Sequence, residues 1–578
     1  MKKITESLEF ARAFTRVEDA RVVDHDSDIP WDVAAGFVVV GYGGAGVTAA
    51  LQAAENGLDV LALDRFEGGG STAMNGGIYY AGGGTQTQIS ALVVDTPAAM
   101  FEYLDKEVQK VVSDETLQRF CDTSASTMNW LVDKGVAFNP TYYSKKTSYP
   151  PRGVYLYHPD NSLLPAYQGR HPPAPRGHKS HLDLGDAAQG FGRALYEPLR
   201  DAAAQAGVKV MRLTEARQLI LDRSGRVIGL KAIHVSPDHP KHDALLKAQR
   251  AAAKWQLMLP PMMPGAGLTI AIGKHFARKA ARIEAQIARP IHIRATVGLC
   301  LASGGFIQNP GMLKHYAPRC DKVMPCGALG DDGSGILLGR SAAGGLDRMN
   351  VVSSWRFLNP PSAWAEGMLV NARGARYVNE SSYGATVGDA MMKPGNDGVA
   401  WLILDQALWD KAVQQLKHDN MLPFQRDPAK LTMMLKAKKA ASIEALGAAL
   451  GFDPTVFATT VGAYRLAATG AAADPFTKAP TDMGAMTDGP YRAIDLGIES
   501  PFFPLPSITL GGLTVDEASG VVLREDRTKI AGLYAAGRTA IGVCSNLYMS
   551  GLSAADCVFS GRRAADAATS APRPRVKA

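Results

Sequence analysis

One stretch constrains this chain more than any other: GFVVVGYGGAGVTAALQAAENGLDVLALD, residues 36–64. Phe37 to Val40 read as a short buried strand, β-branched and apolar. Gly41, Gly43 and Gly46 then form G-x-G-x-x-G, followed by an Ala-rich run, Val47 to Glu55, that lacks a helix breaker. A second apolar strand, Leu58 to Leu63, ends on Asp64. The first glycine permits the tight turn, the second lets backbone approach a pyrophosphate, and the third lets helix and strand pack closely. Asp64 falls where a carboxylate holds an adenosine ribose hydroxyl. Strand, helix, second strand and acid all agree, so the stretch reads as a dinucleotide site in an α/β, Rossmann-type domain.

At 578 residues the chain is too long for one hydrophobic core. The Gly/Ser-rich loop EGGGSTAMNGGIYYAGGG (67–84) directly follows the second strand, which favours backbone amides lining a bulky planar cofactor over a flexible linker. Residues 97–134 read as amphipathic helix, 140–182 as an ordered loop wall rich in Tyr, Pro, His and Arg, and 187–206 as helix. Residues 1–35 read as a polar lead-in with a short helix. Glycine-rich signatures return at TLGGLTVDEASGVVL and at GLYAAGR…GLSAADCVFSGRRAA, ahead of a final helix and a loose tail. The two ends of the chain therefore meet around one cofactor. Expected boundaries are 1–345 for the first part of the dinucleotide domain, 346–499 for an inserted α+β capping domain, and 500–578 for the second part.

The formal charge of +7 invites a nucleic-acid reading, but its location argues otherwise. Residues 236–290 hold nine Lys/Arg against three Asp/Glu, so six of the seven surplus charges sit in one segment. That segment interrupts the main pattern, which resumes at Ile291. It places basic helical flanks on either side of an apolar tip, Leu257 to Met263, with Trp255 nearby. A solvated helical hairpin or an oligomer contact would explain it. So would an appendage, residues 241–289, that rests on a membrane surface and is separable from cofactor binding. Large apolar residues, rather than stacking aromatics, interleave the charges, so no nucleic acid is expected. The six cysteines lack C-x-x-C or Cys/His ligand spacing, so no metal is expected. MKKITESLEFARAF lacks a signal-peptide core, and no run of about 18 apolar residues occurs. The expected location is cytoplasmic, peripheral on the inner face of the cell membrane.

Six motifs in order resemble the flavoprotein family of fumarate reductases and 3-ketosteroid dehydrogenases. They are GYGGAG with Asp64, LASGGFIQNPGM, GDDGSG, VNARGARYVNE (370–380), TLGGLTVD, and GLYAAGR with GLSAADCVFSGRRAA. The resemblance spans nearly the whole chain outside 236–290 and implies noncovalent FAD. It assigns to the cofactor Gly41, Gly43, Gly44, Ala45, Gly46, Asp64 and Arg65, and from the Gly-rich loop Gly70, Ser71, Thr72, Asn75, Gly76 and Gly77. Farther along it adds Ala302, Ser303, Gly304, Asn309, Asp332, Gly537, Arg538, Gly551, Leu552 and Ser553.

Members that reduce fumarate carry a histidine just before the late Gly-Gly and an arginine shortly after the cap Asn-Glu. Here those places hold Ile508 and the run Ser381, Ser382, Tyr383. A buried dicarboxylate would lack its cations, which argues for an apolar substrate carrying one oxygen. Tyr383 matches the catalytic cap tyrosine of the steroid dehydrogenase branch. Tyr548 and Ser550, in Tyr-x-Ser-Gly, resemble the Δ4-(5α) type, as does Arg538. The resemblance thus implies a 3-ketosteroid substrate, an external electron acceptor, and catalysis by Tyr548, Tyr383 and Ser550. Tyr548 is expected to be the base, Ser550 its support and Tyr383 the donor to the ketone, though the two phenols are interchangeable at this stage. A Δ1-dehydrogenase and a reductase running in reverse are the alternatives. Tyr79 and Tyr80 are further candidates for the pocket wall, and the histidines of 158–181 read as surface or packing residues.

Overall fold

The computed structural model describes Ala11 and residues 14–182, 191–260 and 263–571. The readings for residues 1–10 and 12–13, for 187–190, for Pro261 and Met262 in the apolar tip, and for the tail from 572 lie outside the described residues.

Strands from both ends of the chain share one sheet. In chain order they are β1 (Arg21–Val22), β2 (Val33–Val40), β3 (Val60–Leu63), β4 (Lys209–Met211), β5 (Thr214–Leu221), β6 (Val227–His234), β7 (Arg289–Leu301), β8 (Val521–Leu523) and β9 (Lys529–Ala535). The spatial order is β1-β5-β6-β7-β2-β3-β4. Strand β7 is long enough to serve two neighbours along one edge. Its first half pairs antiparallel with β6, Ala232 facing Ile291, and its last residues pair parallel with β9, Cys300 facing Tyr534. Its other edge runs parallel to β2, Leu299 facing Val38. Phe37, Val38 and Val39 are fully buried, as expected for a parallel strand covered on both faces.

Helix α1 (Gly44–Glu55) follows β2, and the last described helix, α4 (Leu552–Ser570), lies against it. A Cβ on Gly561 would stand 2.7 Å from the Ala45 carbonyl oxygen, so the glycine lets the two helices touch. The first strand begins four residues earlier than the sequence pattern implied, at Val33, and the helix three residues earlier, because Gly44 to Gly46 already adopt helical geometry. The amphipathic stretch 97–134 divides into three helices, Pro97–Val108, Asp114–Asp122 and Ser124–Asp133, with Thr96 and Ser113 capping the first two.

The chain leaves for the cap and returns through adjacent strands, Val352–Ser354 and Pro506–Thr509, paired antiparallel with Ser353 opposite Ile508. Between them lies a four-stranded antiparallel sheet in the order Met368–Val370, Trp401–Leu404, Tyr491–Asp495, Lys438–Ala440, flanked by helices. The basic segment is a helical hairpin inserted between β6 and β7, formed by α2 (His242–Gln256) and α3 (Ala266–Ile287). Strand β7 restarts at Arg289, two residues before the main pattern is recognisable in the sequence. Among the described residues no helix is long and apolar enough to cross a membrane.

Candidate active site

A cavity of about 1170 Å³ runs under the cap and along the carboxyl ends of the parallel strands. The glycine motif forms one wall, and each glycine there has its own reason. Gly41 has φ +96°, and a Cβ on it would lie 2.6 Å from the Ala302 oxygen; one on Gly46 would lie 1.8 Å from the Gly41 oxygen. Gly43 differs: its Cβ would meet nothing nearer than 3.6 Å, and it faces the cavity. The fold needs the first and third glycines, whereas the second keeps space open at the amino end of α1, where a pyrophosphate binds. Asp64 accepts hydrogen bonds from the Tyr42 N–H at 2.9 Å and the Phe66 N–H at 2.8 Å. Burial pushes its carboxyl above the ordinary range, opposed by those N–H groups.

Most residues assigned to the cofactor line this cavity: Gly41, Gly43, Gly44, Ala45, Asp64, Arg65, Gly70, Ser71, Thr72, Asn75, Gly76, Ala302, Ser303, Gly304, Gly537, Arg538, Gly551 and Ser553. Five do not. Gly46 is spent on the α1–β2 contact. Gly77 fits beneath the Phe191 carbonyl, where a Cβ would come within 2.5 Å of the oxygen. Leu552 is fully buried in the core behind the wall. Asn309 caps the helix Pro310–Tyr316 and donates to the Asp332 carbonyl at 2.9 Å. Asp332 caps Ser334 and pairs with Arg65 at 2.8 Å. Its neighbour Asp331 is the one that faces the cavity, accepting from Ser71 Oγ at 2.5 Å and Arg538 Nη2 at 2.7 Å. A turn at Gly333, φ +83°, follows the two carboxylates, and an Asp-Asp doublet in a sequence does not say which member will face inward.

The cavity fits a dinucleotide. Arg538 Nη1 and Trp355 Nε1 are buried donors without a partner among the described residues, and both residues line it. Helix α4 points its amino end there through Gly551, which at φ +88° sits 2.6 Å, by a Cβ's reach, from the Tyr80 nitrogen. Nineteen residues of helix aim their positive end at this point.

At the cap side the wall becomes aromatic. Tyr548 packs on Trp355 at 4.6 Å between ring centroids, Trp355 stacks on Phe357 at 6.4 Å, and Phe357 meets Tyr383 edge-on at 6.0 Å. Pro360, Phe424, Phe503, Pro504, Pro506 and Ile508 complete the wall. Trp355 and Phe357 share a face because they are two apart in an extended segment, while Arg356 between them turns inward to the Phe503 carbonyl at 2.7 Å. The three residues assigned to catalysis come together here. Burial raises Tyr548 to about 12, opposed by the Gly551 N–H and the Ser550 hydroxyl. Burial raises Tyr383 well above the ordinary phenol range, and the nearby Tyr548 and Tyr157 add to it.

Tyr157 joins this cluster, and sequence reasoning missed it. It is fully buried and donates to Ser550 Oγ at 3.1 Å, from a residue 393 positions away. Asn161 is another. Its Oδ1 accepts from the Tyr383 N–H at 2.6 Å, and its Nδ2 reaches Thr386 Oγ1 at 2.9 Å and Glu107 Oε1 at 3.0 Å, fixing the cap turn onto the other domain. The cap motif itself is a scaffold. Glu380, fully enclosed, binds Arg376 at 2.7 Å, Lys478 at 2.9 Å and the Leu369 N–H at 2.9 Å, and so holds the turn that presents Tyr383.

Tyr79 and Tyr80 belong to the strand Ile78–Tyr80, not to the wall; Tyr80 donates to Asp160 at 3.0 Å deep in the protein. Buried His158 bonds Tyr142 and Ser162, and buried His178 bonds Thr85, so both are packing residues. The hairpin corrects a further expectation. Gln249, Arg250, Ala253, Gln256, Leu257, Leu259, Pro260 and Ile270 line the cavity, so 241–289 is not an appendage separable from the site.

A glycine-rich cradle at a helix amino end, a half-buried acid one strand later and an aromatic chamber opposite define a dinucleotide-dependent oxidoreductase. Residues 36–551 match the FAD binding domain family, and the chain belongs to it. It is 35% identical over 517 residues to the 3-oxo-5-alpha-steroid 4-dehydrogenase of Comamonas testosteroni, covering 88% of this chain and 93% of that one. It is 26% identical over 589 residues to a 3-oxosteroid 1-dehydrogenase of Mycolicibacterium smegmatis, covering 88% and 93%. The crystal structure of 3-ketosteroid-Δ4-(5α)-dehydrogenase from Rhodococcus jostii RHA1, in complex with 4-androstene-3,17-dione, matches with a TM-score of 0.75. That match has 28% identity and covers 96% of this chain and all of the other.

Proposed function

We propose that this protein is a 3-ketosteroid Δ4-(5α)-dehydrogenase that holds FAD without a covalent bond. The observation that carries the reading is the chamber itself: two phenols, half-buried Tyr548 and buried Tyr383, joined by an arc of Trp355 and Phe357 with Ile508 beside them. Such a wall suits a flat apolar ring system bearing one oxygen. The 35% identity to a 4-dehydrogenase supports the position of the new double bond.

Bound FAD supplies the hydride acceptor. The chain's own residues manage the proton and the ketone. The 3-keto group acidifies C4, and Tyr548 takes the C4 proton as C5 gives up its hydride. Tyr548 is the better base of the two because the Gly551 N–H favours its anion, whereas Tyr548 and Tyr157 oppose an anion on Tyr383; the Ser550 hydroxyl favours both. Ser550 accepts the hydrogen of Tyr157, which leaves its own hydrogen for the Tyr548 oxygen. Tyr383, held protonated by burial, donates to the ketone oxygen and stabilises the charge that develops there. Loss of one proton and one hydride leaves the 3-keto-4-ene, and an external acceptor then removes the two electrons.

The test is anaerobic flavin absorbance during titration with a 5α-saturated 3-ketosteroid and, separately, with its 4-ene. Bleaching by the saturated ketone with formation of the 4-ene is expected. Bleaching by the 4-ene instead, giving a 1,4-diene, would move the double bond to Δ1. Turnover of the 4-ene only with a reduced donor would reverse the direction.

The outer face of the hairpin fits a lipid surface from which such a substrate is drawn. Met258 and Leu268 are 42% and 69% exposed at its tip, flanked by exposed Lys247, Lys254, Lys274 and Arg278. Replacing Met258 and Leu268 with aspartate is expected to cut sedimentation with phosphatidylglycerol vesicles about tenfold or more, with flavin content unchanged. Undiminished sedimentation would remove the membrane role.

A further inference from the structure

The inner face of the hairpin has no part in the chemistry above, yet it lines the same cavity. A chain of contacts ties that face to the ribose carboxylate. The Thr214 N–H donates to the Asp64 carbonyl at 2.9 Å, and the Phe66 N–H donates to the Asp64 side chain at 2.8 Å. Glu67, next in sequence, pairs with Arg250 of α2, Nε to Oε2 at 2.7 Å. The hairpin is firmly seated. Leu245 and Ala248 of α2 and Ala280 of α3 pack with Leu213 and Val235 at the ends of the sheet strands. A Cβ on Gly273 would stand 2.8 Å from the Gln256 nitrogen, so the two helices touch there.

Gln249, one residue from the Arg250 ion pair, carries an unmatched group. Its Oε1 is buried and has no hydrogen-bond partner among the described residues, and the residue faces the cavity. Buried polar atoms are nearly always paired, so a ligand donor is due at this place. The glycine cradle fixes where the phosphates bind and Asp64 where the ribose binds, so the base lies beyond Asp64, on the side of Glu67 and Arg250. On its N6/N7 edge adenine offers an exocyclic amino donor beside a ring-nitrogen acceptor, the pattern that a carboxamide matches with both of its atoms; hypoxanthine offers two acceptors on that edge, which no turn of the carboxamide matches. Ala253, Leu259 and Ile270 give the apolar surface that the faces of a base require.

We propose that the α2–α3 hairpin is the adenine half of the cofactor site, with the Gln249 carboxamide reading the amino edge of the base. The inserted segment is thus a cofactor clamp on its inner face. This rests on FAD occupying the cavity, and the test separates the two.

The measurement is release of flavin from the holoenzyme on dilution, followed by recovery of flavin fluorescence. FAD is compared with flavin hypoxanthine dinucleotide, in which a carbonyl replaces the amino group. The wild-type protein is expected to hold the hypoxanthine form about tenfold more weakly, about 1.4 kcal/mol. Gln249→Leu is expected to hold both forms alike, within about twofold, because neither finds the amide. Equal retention of the two by the wild-type protein would overturn the proposal without recourse to any variant. Discrimination that survives in Gln249→Leu would overturn it as well. Protein purified without flavin would overturn the cofactor reading and this one together.

Discussion

Replacing Tyr548 by phenylalanine is expected to lower kcat about 10³-fold, the middle of the range for removal of a general base, while flavin content stays at the wild-type level. The ring still packs on Trp355, so the variant removes one oxygen and little else. The signature that separates a base from a wall residue is the pH profile. Burial holds the Tyr548 hydroxyl at about 12, so at neutral pH only a small fraction is ionised. That fraction grows about tenfold per pH unit below its midpoint. Wild-type kcat is therefore expected to climb between pH 7 and 10, and the residual rate of Tyr548→Phe to be flat. Tyr383→Phe should cost about 10²-fold, as for loss of one oxyanion donor, and should keep the climb. If the climb vanishes in Tyr383→Phe and persists in Tyr548→Phe, the two roles are exchanged.

The second large effect is on folding. Gly46→Ala places a methyl carbon where the Gly41 oxygen already stands, 1.8 Å away, and both atoms belong to backbone that the sheet and helix hold in place. The cost is expected to reach about 3 kcal/mol, the upper end for forced insertion into a packed site, with flavin lost as the turn shifts. Gly43→Ala meets nothing within 3.6 Å, so its thermal midpoint in the absence of flavin should stay near wild type. Its flavin affinity should fall about tenfold, because the methyl occupies the approach of the pyrophosphate. Thermal unfolding of the flavin-free proteins beside flavin titration of each reads both quantities. Equal destabilisation by the two substitutions would mean that Gly43 is a packing residue.

Local rules carried the dinucleotide half of the site. A strand, three glycines, a helix and an acid are each dictated by neighbours in sequence, so Gly41 through Asp64 was legible without a structure. That Tyr548, Ser550 and Tyr383 share one cavity wall was legible only through resemblance, since spacing alone does not distinguish the two phenols among 18 tyrosines. What stayed hidden was contributed by distant segments. Tyr157 reaches Ser550 across 393 residues, and Asn161 reaches Tyr383 across 222. Trp355 and Phe357 did leave a trace, aromatic residues two apart before Pro360, which as an extended face would have named both. The hairpin misled because its charge pattern describes only the face turned to solvent. Gln249, on the other face, is one uncharged residue in a basic helix.

The shared edge of β7 has a consequence for the order of biosynthesis. Its first half is paired as soon as the strand is made, because β6 precedes it. Its last residues, Leu299 to Leu301, wait for Leu533 to Ala535, more than 230 residues later. During translation the glycine cradle leaves the ribosome before that edge is made, and the whole cap while it is open and the helix that aims at the cofactor does not yet exist. The cofactor chamber is therefore completed only when residues 529–570 emerge, so a message cut short before Lys529 yields a cap and a cradle with no floor between them.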